Sequence, residues 1–110
     1  MPMTAPLEGK AVLITGGARR VGAAIARRLH GAGANLVVHY RSSSAEARAL
    51  RAELIGRRAD SVVLVQGDLL KPANLAGLIK DAVKAYGRLD ALINNASSFY
   101  STPMSDITEK

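Results

Sequence analysis

The stretch Ala11-Val12-Leu13-Ile14-Thr15-Gly16-Gly17-Ala18-Arg19-Arg20-Val21-Gly22 decides how this chain is read. Ala11–Ile14 is a short continuous apolar run, the pattern of a strand buried on both faces of a parallel sheet. Glycines follow at once, and then a helical pattern in which Val21, Ile25 and Leu29 fall on one stripe. Gly22 and Ala26 flank that stripe, Arg27, Arg28 and His30 point elsewhere, and Gly31 and Gly33 end the helix. Glycines at the strand-to-helix turn let the backbone come close to an anion without side-chain collision. The amides and the positive dipole end of the helix then face that anion. Two glycines after a strand also make an ordinary turn. The strand–loop–helix setting is what points to the diphosphate of a dinucleotide, with Gly22 letting the helix pack closely on the strand. The loop lacks the Gly-Lys-Ser/Thr ending that grips a triphosphate and its metal, and it does not match Gly-x-Gly-x-x-Gly.

The same cycle repeats along the chain. Asn35–Tyr40 reads as a second strand, and 44–55 as a helix with Ala47, Leu50 and Leu54 inward and Gly56 as its stop. The span 61–66 reads as a third strand. Pro72 opens a third helix whose stripe is Leu75, Leu78, Ile79, Ala82, Val83 and Tyr86, and Gly87 ends it. Ala91–Asn94 reads as a fourth strand. Strict alternation of this kind predicts an α/β fold, a doubly wound parallel sheet of Rossmann type in its βαβαβαβ portion. There is no linker and no repeat beyond the βα cycle, so residues 1–110 read as part of a single domain. Residues 105–110 resemble the approach to another helix, with Ser105 or Thr108 as its cap. The expectation is the N-terminal part of a larger domain, since folds of this class run to about twice this length.

Composition narrows the classes. Apolar residues make up 48% of the chain, yet no run approaches the length needed to span a bilayer. The N-terminus lacks the apolar core of a secretion signal, so a cytoplasmic location is expected. Without cysteine, neither disulfides nor thiolate metal sites are available, and no metal is expected. The net charge of +6 suggests an anionic partner. Nucleic acid is disfavoured, because Arg27, Arg28, Arg48, Arg51, Arg57 and Arg58 are spread over helices with no interleaved aromatic residues to stack bases. Most of these read as solvated helix faces.

In a doubly wound sheet the ligand crevice opens where strand order reverses, here between the first and fourth strands. The second strand runs out in His39-Tyr40-Arg41-Ser42-Ser43, with no carboxylate to bind a ribose hydroxyl. Arg41 beside serine hydroxyls suits a 2′-phosphate, which favours NADPH over NADH. Alternatively, 42–44 turn the chain and cap the next helix, the role assigned to Ser44. His39 invites reading as a base, although a histidine on a strand flank is more often structural.

Thr15 to Gly22 resembles the Thr-Gly-x-x-x-Gly-x-Gly signature of the short-chain dehydrogenase/reductase family, with Arg20 standing in place of the middle glycine. Asn94-Asn95-Ala96-Ser97 is similar to that family's Asn-Asn-Ala-Gly. Arg20, His39-Tyr40-Arg41-Ser42 and Asn94-Asn95-Ala96-Ser97-Ser98-Phe99-Tyr100 together resemble its pteridine reductase branch. An arginine at position 20 also puts a cation at a helix end that is already positive, which calls for a local anion. The resemblance implies that cofactor contacts come from Gly16, Arg19, Arg20, Val21, His39, Tyr40, Arg41, Ser42, Asp68, Leu69, Asn95, Ala96 and Ser97. Asp68 would meet the adenine amino group, and Asn95 and Ala96 the ribose. Arg20, Ser97 and Phe99 would contact the substrate, Phe99 by stacking on a pterin ring. The implied reaction is hydride transfer from NADPH to a pterin or folate C=N bond, in a homotetramer. The competing readings are another short-chain reductase, such as one acting on acyl-carrier 3-ketones, and a non-catalytic dinucleotide-binding protein. The family's Tyr-x-x-x-Lys pair is absent: Tyr40, Tyr86 and Tyr100 are followed four positions on by Ser44, Asp90 and Met104. No catalytic residue is therefore assigned within 1–110, and the proton machinery is expected beyond Lys110.

Overall fold

The structure is a computed structural model that describes residues 6–68 and 72–95. Strands β1 (Ala11–Thr15), β2 (Asn35–Tyr40), β3 (Val62–Gln66) and β4 (Ala91–Asn94) alternate with helices α1 (Arg20–Gly31), α2 (Ser44–Ile55) and α3 (Pro72–Tyr86). The strands form one parallel sheet in the order β3-β2-β1-β4. Strand order thus reverses between β1 and β4, as the alternation predicts, and the fold is the Rossmann type.

Strand alternation divides the core between two faces. Val12, Ile14, Leu36 and Val38 face one side, packed with Ala23 and Ala26 of α1 and with Leu50 and Leu54 of α2. Leu13 and Val37 face the other side, against Leu78 and Ala82 of α3. All five residues of β1 are buried, which explains the unbroken apolar run.

Two of the expected helix stripes need correction. Val21 is 64% exposed, and α1 meets the sheet through Gly22, Ala23, Ala26 and His30, with Ile25 and Leu29 only partly buried. Small residues lie at the contact because the helix runs close to the strands. Val83 of α3 is likewise 40% exposed, while Leu78 and Ala82 carry its buried face. His30, expected to point outward, is buried: its Nε2 lies 2.7 Å from Ser61 Oγ, which donates to the Arg58 carbonyl at 2.6 Å. Burial, with Arg58 and Arg57 nearby, holds the His30 pKa below its usual value. Ser43, not Ser44, is the N-cap of α2, and its side chain makes no capping bond.

The basic residues also have more to do than solvate helices. Arg58 is half-buried and donates to the His30 carbonyl at 3.1 Å and to the Ala34 carbonyl, tying off the end of α1. Arg51 donates to the Val62 carbonyl at 3.3 Å. Arg27 makes a two-pronged pair with Glu53, at 2.9 and 3.1 Å, linking α1 to α2. Among the described residues, no helix is long and apolar enough to cross a membrane.

Candidate functional site

Parallel strands bring the turns after β1, β2, β3 and β4 to one edge of the sheet. The turn after β1 begins at Gly16, whose φ of +61° suits a residue without a Cβ. Further on, Gly22 is a packing requirement. A Cβ there would fall 2.8 Å from Gly17 Cα and 2.7 Å from Asn95 Nδ2, and closer still to the Gly16 carbonyl oxygen. Arg20, in the place of the signature's middle glycine, has a φ of +52°. The backbone keeps the left-handed conformation a glycine would favour, at a cost of about 1–2 kcal/mol for a residue with a side chain.

Arg19 is the N-cap of α1, with no side-chain cap, and the first turn holds no acidic residue. The first amides of α1 are left to an outside acceptor, and the dipole adds positive potential there. Arg19, Arg20 and Val21 are exposed around this end, and among the described residues neither arginine forms an ion pair. The donor set fits a diphosphate.

The turn after β4 is bolted to this loop. Asn95 N–H donates to Thr15 Oγ1 at 2.9 Å, Thr15 Oγ1 lies 3.0 Å from Asn94 Oδ1, and the Asn95 amide donates to the Gly16 carbonyl at 3.1 Å. Asn95, expected along a ribose, thus spends its side-chain donor on the glycine loop. Its side chain also lies against Gly22, at the start of α1.

At the end of β2, Arg41 and Ser42 are exposed and Tyr40 is half-buried. The Arg41 guanidinium lies 4.0 Å from Asp68 Oδ2, so the groups expected at a 2′-phosphate and an adenine share one corner. Gln66 donates to the Arg41 carbonyl at 3.0 Å, and Asn74 donates to the Asp68 carbonyl at 2.8 Å. His39 lies beneath this surface, 2% exposed, its ring between Gly16 N–H and the Gly67 carbonyl. Sequence reading set it among the cofactor contacts. Its ring is used inside the fold, the structural role that its place on a strand flank also suggested. The signal available was a polar residue at an inward position of β2 between two glycine turns.

Leu69, Ala96, Ser97 and Phe99, assigned to cofactor or substrate, lie outside the described residues, as do Ser105 and Thr108. Among the described residues, no three His, Asp or Glu side chains come together as a metal site.

The profile of the short chain dehydrogenase family matches residues 10–110. The chain is 36% identical over 119 residues to pteridine reductase 1 of Leishmania tarentolae, covering 93% of this chain and 41% of that protein. It is 38% identical over 104 residues to an uncharacterised oxidoreductase of Methylorubrum extorquens, covering 94% and 42% respectively. A hydroxynaphthalene reductase of Aspergillus fumigatus is 36% identical over 105 residues, covering 94% and 37%. The chain spans about two fifths of the length of these curated relatives.

Proposed function

Because the chain belongs to the short-chain dehydrogenase family, we propose that it forms the cofactor-binding part of an NADPH-dependent pteridine reductase. NADPH, when bound, supplies the hydride. The residues of this chain hold it and line one edge of the substrate pocket. Arg19 and Val21 offer backbone to the diphosphate, and Gly16, at a φ of +61° and without a Cβ, shapes the turn that lets it approach. Arg41, with the Ser42 hydroxyl and the adjoining Tyr40, receives the 2′-phosphate. Asp68 and Leu69 border the adenine, and Asn95, Ala96 and Ser97 follow the ribose and the diphosphate. Ser97 and Phe99 complete the pterin edge.

The observation that carries the reading is Arg20. It is exposed at the head of α1, beside the crevice between β1 and β4, and it keeps a glycine's φ of +52° without being a glycine. A strained cation at a positive helix end has a reason to be there if an anionic cofactor and an electron-rich heterocycle meet it. The likeness to pteridine reductase 1 of Leishmania tarentolae supports the same reading. By extension, residues 1–110 are the N-terminal part of one NADP-binding domain, acting in the cytoplasm within a homotetramer.

A second reading, reduction of a ketone by another short-chain reductase, is favoured by the likeness to the hydroxynaphthalene reductase. The complete protein, assayed for NADPH oxidation, separates the two. Turnover of dihydrobiopterin or dihydrofolate supports pteridine reduction, and turnover confined to ketones overturns it. Binding of NADPH without turnover of either class leaves a dinucleotide-binding protein.

A further inference from the structure

We propose that His39 is a positioning residue for the dinucleotide site, its imidazole locking the turns after β1 and β3 to the end of β2. The proposal rests on the reading that the glycine loop receives a cofactor diphosphate.

Three chain segments meet at this residue. Gly16 N–H donates to His39 Nδ1 at 3.0 Å, and His39 Nε2 lies 2.8 Å from the Gly67 carbonyl. The backbone joins in: Gly17 N–H donates to the His39 carbonyl at 3.0 Å, and Gly67 N–H to the Tyr40 carbonyl at 3.1 Å. These partners assign the tautomer. Nδ1 accepts and so carries no proton, while Nε2–H donates.

The consequences reach both halves of the proposed cofactor. Gly16, at a φ of +61°, is held in place by this bond, and its amide is turned inward. The donors left for a diphosphate are therefore those further along the loop and in the first turn of α1. Gly67 precedes Asp68, which pairs with Arg41 at 4.0 Å, so the same ring also anchors the turn that carries the adenine-side corner.

Protonation undoes the lock. An imidazolium has hydrogen on both nitrogens, and Nδ1–H would oppose Gly16 N–H head-on. Burial pushes the His39 pKa down, and the hydrogen bond to Gly67 opposes this only in part. The charged groups on the packed segments are Arg41 at the end of β2, Asp68 after β3, and Arg19 and Arg20 at the far end of the glycine loop.

The test is calorimetric titration of the complete protein with NADPH and with NADH, in wild type and in His39→Leu, His39→Gln and His39→Asn. Leucine makes neither bond. Glutamine reaches Gly67, and asparagine places an oxygen where Nδ1 accepts from Gly16. His39→Leu, which loses both bonds, is expected to weaken both dinucleotides alike by at least about tenfold, the scale of one lost buried hydrogen bond, and His39→Gln, which keeps the bond to Gly67, by less. His39→Asn recovers most of the loss seen in His39→Leu. The affinity of wild type for NADH, which carries no 2′-phosphate to titrate, falls as pH drops below the usual histidine range, whereas that of His39→Asn stays flat. Imidazole nitrogen NMR should show Nδ1 bare and Nε2 protonated at neutral pH. Wild-type affinity in a folded His39→Leu, no recovery in His39→Asn, or matching pH profiles for wild type and His39→Asn would each overturn the proposal. If His39→Leu fails to fold, the pH comparison and the NMR signature decide. Because NADPH and NADH are read side by side, equal wild-type affinity for the two would refute the role of Arg41 and leave that of His39 standing.

Discussion

The side-chain amide nitrogen of Asn95 sits 2.7 Å from the point where a Cβ on Gly22 would project. The start of α1 and the turn after β4 meet through the absence of a side chain. The other atoms in the way, the Gly16 carbonyl oxygen and Gly17 Cα, belong to backbone and cannot swing aside. Gly22→Ala is therefore expected to cost about 1–3 kcal/mol by overpacking, despite the better helix propensity of alanine. Urea denaturation checks this, and an unchanged or raised midpoint would show that the contact is looser than described.

Arg20 separates side-chain function from backbone strain. Arg20→Ala and Arg20→Gly both remove the guanidinium, but only glycine adopts the φ of +52° without penalty. Relief of a left-handed residue is worth about 1–2 kcal/mol, reduced by the greater freedom of glycine in the unfolded chain. Arg20→Gly should be the more stable of the two by about 1 kcal/mol. Both variants should lose affinity for NADPH to the same extent. Equal thermal stability would mean that the residue relaxes out of the left-handed region.

Much of this architecture is legible in the sequence, and the exceptions share a cause. Strands show through because β1 and β2 are buried on both faces, so Ala11–Ile14 and Leu36–Val38 are unbroken apolar runs before the polar Thr15 and His39 at their ends. The strand order follows from the crossovers. Periodicity failed at Val21 because two neighbouring stripes of α1 satisfy it. The sheet selected the stripe with glycine and alanine, since close approach there outweighs the apolar area of valine. The roles of His30, Arg58 and the His39 ring escape a reading of the sequence for a different reason. Each satisfies backbone or side-chain partners far away in sequence, as in Arg58 to His30 and His39 to Gly16, and such pairings exist only once the turns have met. For the candidate site, the place of the glycine loop between β1 and α1, and of Arg41 just after β2, is legible. The pairing of Arg41 with Asp68 is not, because it depends on β2 and β3 ending side by side.

Arg41 is tested by cofactor choice. Its guanidinium is exposed near Asp68, at a 4.0 Å separation that permits it to turn towards a phosphate. A charge-assisted bond of this kind contributes about 1.5–3 kcal/mol, so Arg41→Ala should weaken NADPH by roughly ten- to a hundredfold. NADH should bind as before. Equal loss for both dinucleotides would remove the 2′-phosphate from the role assigned to Arg41.

Asp90 gives the fold an acid-sensitive seam at the start of β4. Its Oδ2 accepts from Ala11 N–H and from Arg88 Nε, both at 2.8 Å, and its own N–H returns to the Ala11 carbonyl at 2.8 Å. The Arg88 side chain, and after it the Ala11 amide, hold the Asp90 pKa at about 2, below the ordinary 3.8. A depressed carboxyl stabilises the fold fully above its unfolded pKa, and that contribution disappears as pH falls through the folded one. Its loss should therefore fall between about pH 4 and pH 2. Asp90→Asn keeps the size of the side chain but not its charge, and should be less stable than wild type at pH 7. The two stability curves, followed by denaturant midpoint, should converge as pH falls across that window. Parallel curves would mean that the seam draws its strength from the backbone pair with Ala11 alone.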